Sequence, residues 1–482
     1  MTREQRRQIE ETLTRGPVTA AIWTIAWPTL LQNLIAGLQG LVDHAMVGNY
    51  VGFAGNAAIG VSWQIFLVVV VFISSLYSGM GVLVARFAGA GDDDKVARVV
   101  YQVFLLSAFI GIFVFAPVGY FLSPWLLDLV HAAPEVRAEA LSYLRILFMF
   151  SIGNMYFFMI GGALRAAGDA RTPLRLGVLL TVLNIGLNVL LIRGFGPIPA
   201  YGTKGAAMGT VISGLVVAGI AIYLFFSGRL IIDLRRAVGR SFDRKVVSQV
   251  FRFGLPTGFQ GIAMNIGGVI MVRYVGSLAE SAEAQAAYAV GYNQLFSLIT
   301  WTSVALMAAA STVTGQSLGA GNTERAFSVP QAASRLGIAL CVPVGLLFWV
   351  VPEALLGAFG MEDPVVLRLG SELLMYLAVS GLFLTTALSY TGALQGSGDT
   401  RSPMYISIFS QLILPITICA VLDSLHGLGS RDIWIAIVAG HFMRGALSVA
   451  RFHQGKWQGI DVALEDDPLL GPEAAAEEAA RP

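Results

Sequence analysis

The stretch GALRAAGDARTP at residues 162–173 returns as GALQGSGDTRSP at residues 392–403, an offset of 230. Each copy follows one long apolar run and opens the next. The order Gly-Asp-x-Arg-Thr/Ser-Pro reads as a reverse turn between two helices. Gly permits positive φ, Asp accepts from nearby amides, and Pro starts the following helix in its first turn. The Arg suits a position facing lipid headgroups. This reading, a turn that fixes topology, is preferred to a role in binding.

Other pieces repeat at nearly the same spacing. Trp27-Pro28-Thr29 and Val47-Gly48 return as Leu255-Pro256-Thr257 and Val275-Gly276, an offset of 228. Gly89-Ala90-Gly91 returns as Gly319-Ala320-Gly321, again at 230. The apolar runs between these turns number twelve: about 18–48, 57–87, 96–122, 137–167, 173–196, 203–227, 246–277, 286–317, 326–350, 367–396, 403–424 and 432–452. Backbone groups in lipid must be satisfied internally, so each run is predicted to be a helix. Several exceed the roughly 20 residues needed to cross a bilayer and must tilt, kink or project. Six helices per half give both halves the same orientation, related by an axis along the membrane normal. The predicted fold is an all-α polytopic membrane protein of two six-helix bundles around a cleft, the architecture of a rocking secondary transporter.

Composition agrees. Of 482 residues, 56% are hydrophobic and only 13% charged, against about 25% charged in a typical soluble domain. That scarcity excludes a soluble globular protein and intrinsic disorder alike. Cys341 and Cys419 sit far apart in apolar runs and suggest neither a disulfide framework nor a zinc site. The Gly-Ala-Gly turns lack the Gly-Lys-Ser/Thr of a phosphate loop. No cofactor and no nucleic-acid partner is expected. The N-terminus has no short apolar core with a cleavage site, so the first span reads as an uncleaved insertion signal.

Basic residues orient the chain. With both termini in the cytoplasm, 24 of the 31 Lys and Arg fall on that side, the exceptions being Arg137, Arg145, Arg193, Lys204, Arg273, Arg368 and Arg431. The expected organisation is a cytoplasmic segment 1–16, an N-lobe 17–228, a basic linker 229–245, a C-lobe 246–455, and an acidic, disordered cytoplasmic tail 456–482. A multi-pass protein of the inner membrane, working as a monomer with lipids around it, is expected.

Ionisable groups inside a membrane are costly and usually functional. Asp43 is the only carboxylate well inside a predicted span. Gln32, Ala36, Gln39 and Asp43 are spaced to share one helical face. Thr181, Asn184 and Asn188 make a second polar stripe on the fifth span. Asn154 on the fourth and Thr210 on the sixth add to it. The repeat supplies a control: Asp43, Asn154, Asn184 and Asn188 correspond to Met271, Leu384, Leu414 and Ile418. The polar cluster therefore belongs to the N-terminal half alone. Interhelical hydrogen bonding explains any one Asn. Asp43 with four polar partners reads better as a site that alternates between charged and neutralised states, taking H⁺ or Na⁺. Pro28 can kink the first span as a hinge. His44 projects about 100° away from Asp43 and is expected at the outer interface, whereas Arg273 could face Asp43 across the cleft. Met155, Tyr156, Met264, Tyr288 and Tyr292 are candidate cleft-lining residues, suited to amphipathic or cationic organic molecules.

These residues give the chain a resemblance to the multidrug and toxic compound extrusion (MATE) transporters over residues 17 to about 455. It rests on Pro28, Leu41-Val42-Asp43 with Val47-Gly48, the Ala-Leu-Arg-x-x-Gly-Asp-x-Arg-Thr-Pro turn, and Asn184-x-x-x-Asn188 followed by Gly205-Ala206-Ala207. The resemblance implies a secondary active antiporter, not an enzyme, that exports organic compounds against inward H⁺ or Na⁺. It implies Asp43, Asn154, Asn184, Asn188 and Thr210 as the N-lobe cation site and Pro28 as the bend. Some members have Asp where Asn188 stands, so its absence here weakens Na⁺ relative to H⁺. No C-lobe carboxylate matches the branch that couples through that lobe. The alternative is a flippase for lipid-linked oligosaccharides, whose anionic substrate would favour basic residues in the cleft; here they concentrate in loops.

Overall fold

The computed structural model describes residues 3–237 and 241–462. Among them the twelve expected spans are all present, and we label them α1 to α12. The N-lobe holds α1 (Val18–Tyr50), α2 (Phe53–Gly89), α3 (Asp93–Leu129), α4 (Pro134–Met149 continued by Ser151–Ala166), α5 (Arg171–Arg193) and α6 (Thr203–Phe226). The C-lobe holds α7 (Arg244–Gly276), α8 (Ser281–Gly319), α9 (Thr323–Val350), α10 (Pro364–Ser397), α11 (Arg401–His426) and α12 (Ser430–His453). The two pieces of α4 meet at 52°. Pro28 lies within α1, which stays helical through it. Short π-helical turns interrupt α3, α8 and α11.

The repeated turns behave as their residues dictate. Gly168 and Gly398 both have positive φ, near 104° and 100°. Asp169 accepts from the amides of Arg171 and Thr172 at 3.1 and 3.0 Å, and Asp399 accepts from Ser402 N at 3.1 Å. Each Asp thus satisfies amides that the opening turn of a helix leaves free. Asp92 and Asn322 do the same for Lys95 N and Arg325 N, both at 2.9 Å, after the Gly-Ala-Gly turns.

The lobes meet at the end of the bundle that carries residues 3 and 462, and there they meet backbone to backbone. A Cβ on Gly79 of α2 would lie 1.9 Å from Val250 O of α7. One on Gly89 would lie 2.1 Å from Gln316 O, and one on Gly319 would lie 2.0 Å from Arg86 O. Gln316 Nε2 crosses to Ala166 O at 2.8 Å, and the Ser78 and Thr257 hydroxyls are 3.2 Å apart. Toward the other end α1 and α7 leave Leu38, Leu41, Ile266 and Val269 exposed, and Gly37, Gly40 and Gly268 have no neighbour where a Cβ would stand.

The flanking segments are folded onto this closed end. Arg3–Thr14 forms a helix whose Leu13 is buried with Ala21, Ile25, Leu306, Val313 and Val329, residues of both lobes. Arg325 of α9 donates to the carbonyls of Thr12, Leu13 and Gly16. The linker buries Ile231, Ile232 and Leu234. At the other end, residues 456–462, expected to belong to a disordered tail, are folded onto the bundle. Lys456–Gly459 forms a 3-10 turn, and Trp457 is buried, stacked on Phe452 at 4.8 Å, its Nε1 donating to Phe452 O at 2.7 Å. An indole of this size buries enough apolar surface to hold the turn. The acidic residues after 462 lie outside the described residues.

Candidate functional site

The polar stripes of α1 and α5 face each other. Asn188 Nδ2 donates to Asp43 Oδ1 at 2.7 Å. The Asn184 amide is assigned with its nitrogen toward the carboxylate, since the reverse opposes two oxygens, and the nitrogen then also faces Gln39 Nε2 at 3.1 Å and Asn188 Nδ2 at 3.3 Å. That nitrogen lies 3.0 Å from Asp43 Oδ1, and its oxygen accepts from Thr210 Oγ1 at 3.2 Å and Thr210 N at 3.3 Å. Thr210 is brought in by α6, which packs closely on α5: a Cβ on Gly209 would stand 2.1 Å from Asn188 Oδ1, and one on Gly205 2.4 Å from Leu191 O. Both asparagines are fully buried, whereas Asp43 and Thr210 are half-buried. Asn188 Oδ1, although sealed from solvent, has no donor.

The remaining predicted residues divide. Gln39 accepts from Thr181 Oγ1 at 2.8 Å, which extends the α1–α5 contact one turn from Asp43. Gln32 is held elsewhere, accepting from Arg165 Nη1 at 3.1 Å. Asn154 is not joined to the cluster: it makes no hydrogen bond among the described residues and lies beside Gly214 of α6. Met155, Tyr156 and Tyr288 are buried inside their lobes. Tyr156 stacks on Phe104 at 4.7 Å, and Tyr288 stacks on Tyr292 at 4.9 Å. Of these candidates only Met264 is exposed, and Tyr292 is half-buried. His44 pairs through Nδ1 with Asn56 Oδ1 of α2 at 2.6 Å, close to the α1–α2 connection. Arg273 is exposed and forms no ion pair among the described residues.

Two features were missed by sequence reasoning. Tyr143 of α4 is buried within electrostatic reach of Asp43. A tyrosine in an apolar run resembles any core aromatic, so nothing in the sequence marks it. The second is in the other lobe. Arg444 of α12 is 1% exposed, and His441, one turn away, is 3% exposed. Neither is an acid, and in the sequence Arg444 is one of the basic residues assigned to the cytoplasmic face. The basic residues are therefore not confined to loops, since Arg444 stands within a span. Among the described residues no three His, Cys, Asp or Glu side chains converge as a metal centre.

Comparison with known proteins places this geometry. The MatE family model matches residues 28–190 and 256–421, one match in each lobe and together more than half of the chain. The "Probable multidrug resistance protein NorM" of Thermotoga maritima is 29% identical over 440 residues, covering 90% of this chain and 92% of that protein. The "Probable multidrug resistance protein YoeA" of Bacillus subtilis is 26% identical over 437 residues, covering 89% and 92%. Among solved structures, a MOP superfamily transporter from Pyrococcus furiosus, reported with a binding pocket of reversed polarity, superposes with a TM-score of 0.84 at 22% identity, covering 92% of this chain and 97% of that one. An outward-facing multidrug resistance MATE family transporter superposes at 0.82 with the same coverage. With two six-helix lobes, a repeat that runs through both, and a family match in each, the chain belongs to the MatE family of membrane transporters.

Proposed function

We propose that the chain is a secondary active antiporter that exports small organic compounds, cationic or amphipathic, in exchange for protons, with Asp43 as the coupling group. The observation that carries this is the pair of amide nitrogens directed at one half-buried carboxylate. Donors arranged this way stabilise the ionised form. A Na⁺ cage would instead converge oxygens on a shared centre. The unpartnered Asn188 Oδ1 supplies the other half of the cycle. When Asp43 takes a proton, its new O–H needs an acceptor, and a half-turn of the Asn188 amide provides one. Protonation thereby changes the contact between α1 and α5.

The closed end carries residues 3 and 462 and the basic linker, so we assign it to the cytoplasm and the state to an outward-open one. The two lobes of 17–228 and 246–455 then rock about the glycine contacts. Pro28, which removes one hydrogen bond from α1, is the bend between the closed-end half of α1 and the half that carries Asp43.

The test is efflux of an organic cation from proteoliposomes under separately imposed ΔpH and Na⁺ gradients. Export driven by ΔpH alone, and lost in Asp43→Asn, supports the reading. Export that follows only Na⁺ overturns the proton assignment. Export undiminished in Asp43→Asn overturns the site.

A further inference from the structure

The C-lobe carries an ionisable group that the coupling site leaves unused. Arg444 stands well inside α12, fully buried. It makes no hydrogen bond and no ion pair among the described residues, and its Nε and Nη1 are sealed from solvent without an acceptor. The groups within its electrostatic reach are His441 and Tyr292, neither of them a carboxylate. His441 is already committed: its Nδ1 contacts Ser380 Oγ of α10, and its ring stacks on Phe296 of α8 at 5.9 Å. Ser448, one turn beyond Arg444, has a buried hydroxyl that is also unpartnered.

A guanidinium does not shed its proton to escape burial. Buried without an acceptor it is a large local cost, and an anion is what removes that cost. Its planar face of N–H donors matches a carboxylate. The surroundings favour an aromatic acid over a bare ion. Tyr288, Tyr292 and Phe296 form a continuous stack, with successive ring centroids 4.9 and 5.5 Å apart. Tyr292 lies on the π-helical turn Ala289–Leu295, the kind of backbone irregularity that often marks a ligand site. It is half-buried, whereas Arg444 is fully buried.

We propose that the C-lobe holds a carboxylate-binding site centred on Arg444, with Tyr292 as its aromatic and hydroxyl wall. The ligands are compounds that carry a carboxylate next to an aromatic ring. That these compounds are exported rests on the transport reading above; that they bind does not. The two lobes then present opposite charges, Asp43 in one and Arg444 in the other, which suits zwitterionic molecules.

The probes are a fluorescent xanthenylbenzoate dye as its free acid and the methyl ester of the same dye, which differ only in whether the carboxylate is blocked. Binding to the purified full-length protein in detergent is read by fluorescence anisotropy. Wild type is expected to bind the acid at least about tenfold more tightly than the ester, the scale of one hydrogen-bonded charge. In Arg444→Gln, checked for folding by its unfolding midpoint, that ratio falls to about one. Should this variant fail to fold, competition on wild type decides: benzoate displaces the acid and benzamide does not. The proposal is overturned if wild type binds both dyes equally or binds neither. It is also overturned if folded Arg444→Gln keeps the ratio, or if benzamide competes as well as benzoate. None of these outcomes bears on Asp43-dependent efflux, so the two readings fail separately.

Discussion

Ala85 and Gly315 occupy equivalent positions of the two repeats and stand against each other where the lobes meet: a methyl group on Gly315 would lie 2.7 Å from that of Ala85. The pseudo-two-fold axis therefore passes between them. The pairs on either side are reciprocal, Gly89 on the backbone of Gln316 and Gly319 on the backbone of Arg86, and these too are repeat equivalents. Such a self-complementary contact is what two-fold symmetry demands. A side chain at either glycine must force the lobes apart. Gly89→Leu and Gly319→Leu should each disfavour the closed arrangement by about 1–3 kcal/mol. A cysteine in place of Ser78 should then react with a thiol reagent several-fold faster than in the parent. Unchanged labelling in both variants would count against the contact as a gate.

The hydrogen bond from Asn188 to Asp43 predicts a graded series. Asp43→Asn removes the titrating group and should abolish coupled export. Asn188→Leu, which installs an apolar residue like the counterpart Ile418, should leave Asp43 with fewer donors and cut export by about tenfold, since a hydrogen bond to a charged group is worth about 1.5–3 kcal/mol. Both variants should insert and migrate as monodisperse protein, as judged by size-exclusion chromatography. Full activity in Asn188→Leu would remove the amide from the mechanism.

Arg325 ties the N-terminal helix to the C-lobe through three backbone carbonyls. Arg325→Ala should release that helix, at a cost of about 2–3 kcal/mol for lost charge-assisted bonds. Limited proteolysis in membranes should cut within residues 3–17 faster than in the parent. Equal protection would show that the burial of Leu13 suffices alone.

Asp243 caps α7 and pairs with Arg98 across the linker. Burial pushes its carboxyl up, but the Arg98 guanidinium and the amides of Val246 and Lys245 outweigh this and hold it below the usual carboxylate range. A lowered folded value means stability that is complete above the ordinary value of about 3.9 and lost as pH falls through the folded one. The unfolding midpoint of wild type should therefore drop with pH below that point more steeply than that of Asp243→Asn. Parallel curves for the two would exclude this carboxylate.

Much of this could be read from the chain. Lipid leaves backbone groups no partner but each other, so span positions followed from apolar length alone, and the Gly-Asp turns followed from φ and amide satisfaction. Asp43, Asn184, Asn188 and Thr210 were found because polar residues are rare in such runs and because the second repeat is apolar at Asp43, Asn184 and Asn188. The rest depended on contacts between distant segments. Nothing local distinguishes Tyr143 or Trp457 from any membrane aromatic, and Arg444 looks like one more basic residue near a helix end. Asn154 is the converse case: it is polar and in a span, yet α4 turns by 52° just before it, and it makes no hydrogen bond to the other four.

The glycine contacts between the lobes have a further consequence. The closest contacts of the seam, at Gly79, Gly89 and Gly319, are with main chain, whereas Met264 and Tyr292, the candidates for meeting cargo, would do so through side chains. Substitutions that alter what the cavity accepts need not touch the seam, and the seam has few side chains to drift. In the proposed mechanism, selectivity and gating are therefore written in different parts of the polypeptide. Such a chain can change its cargo without having to relearn how to move.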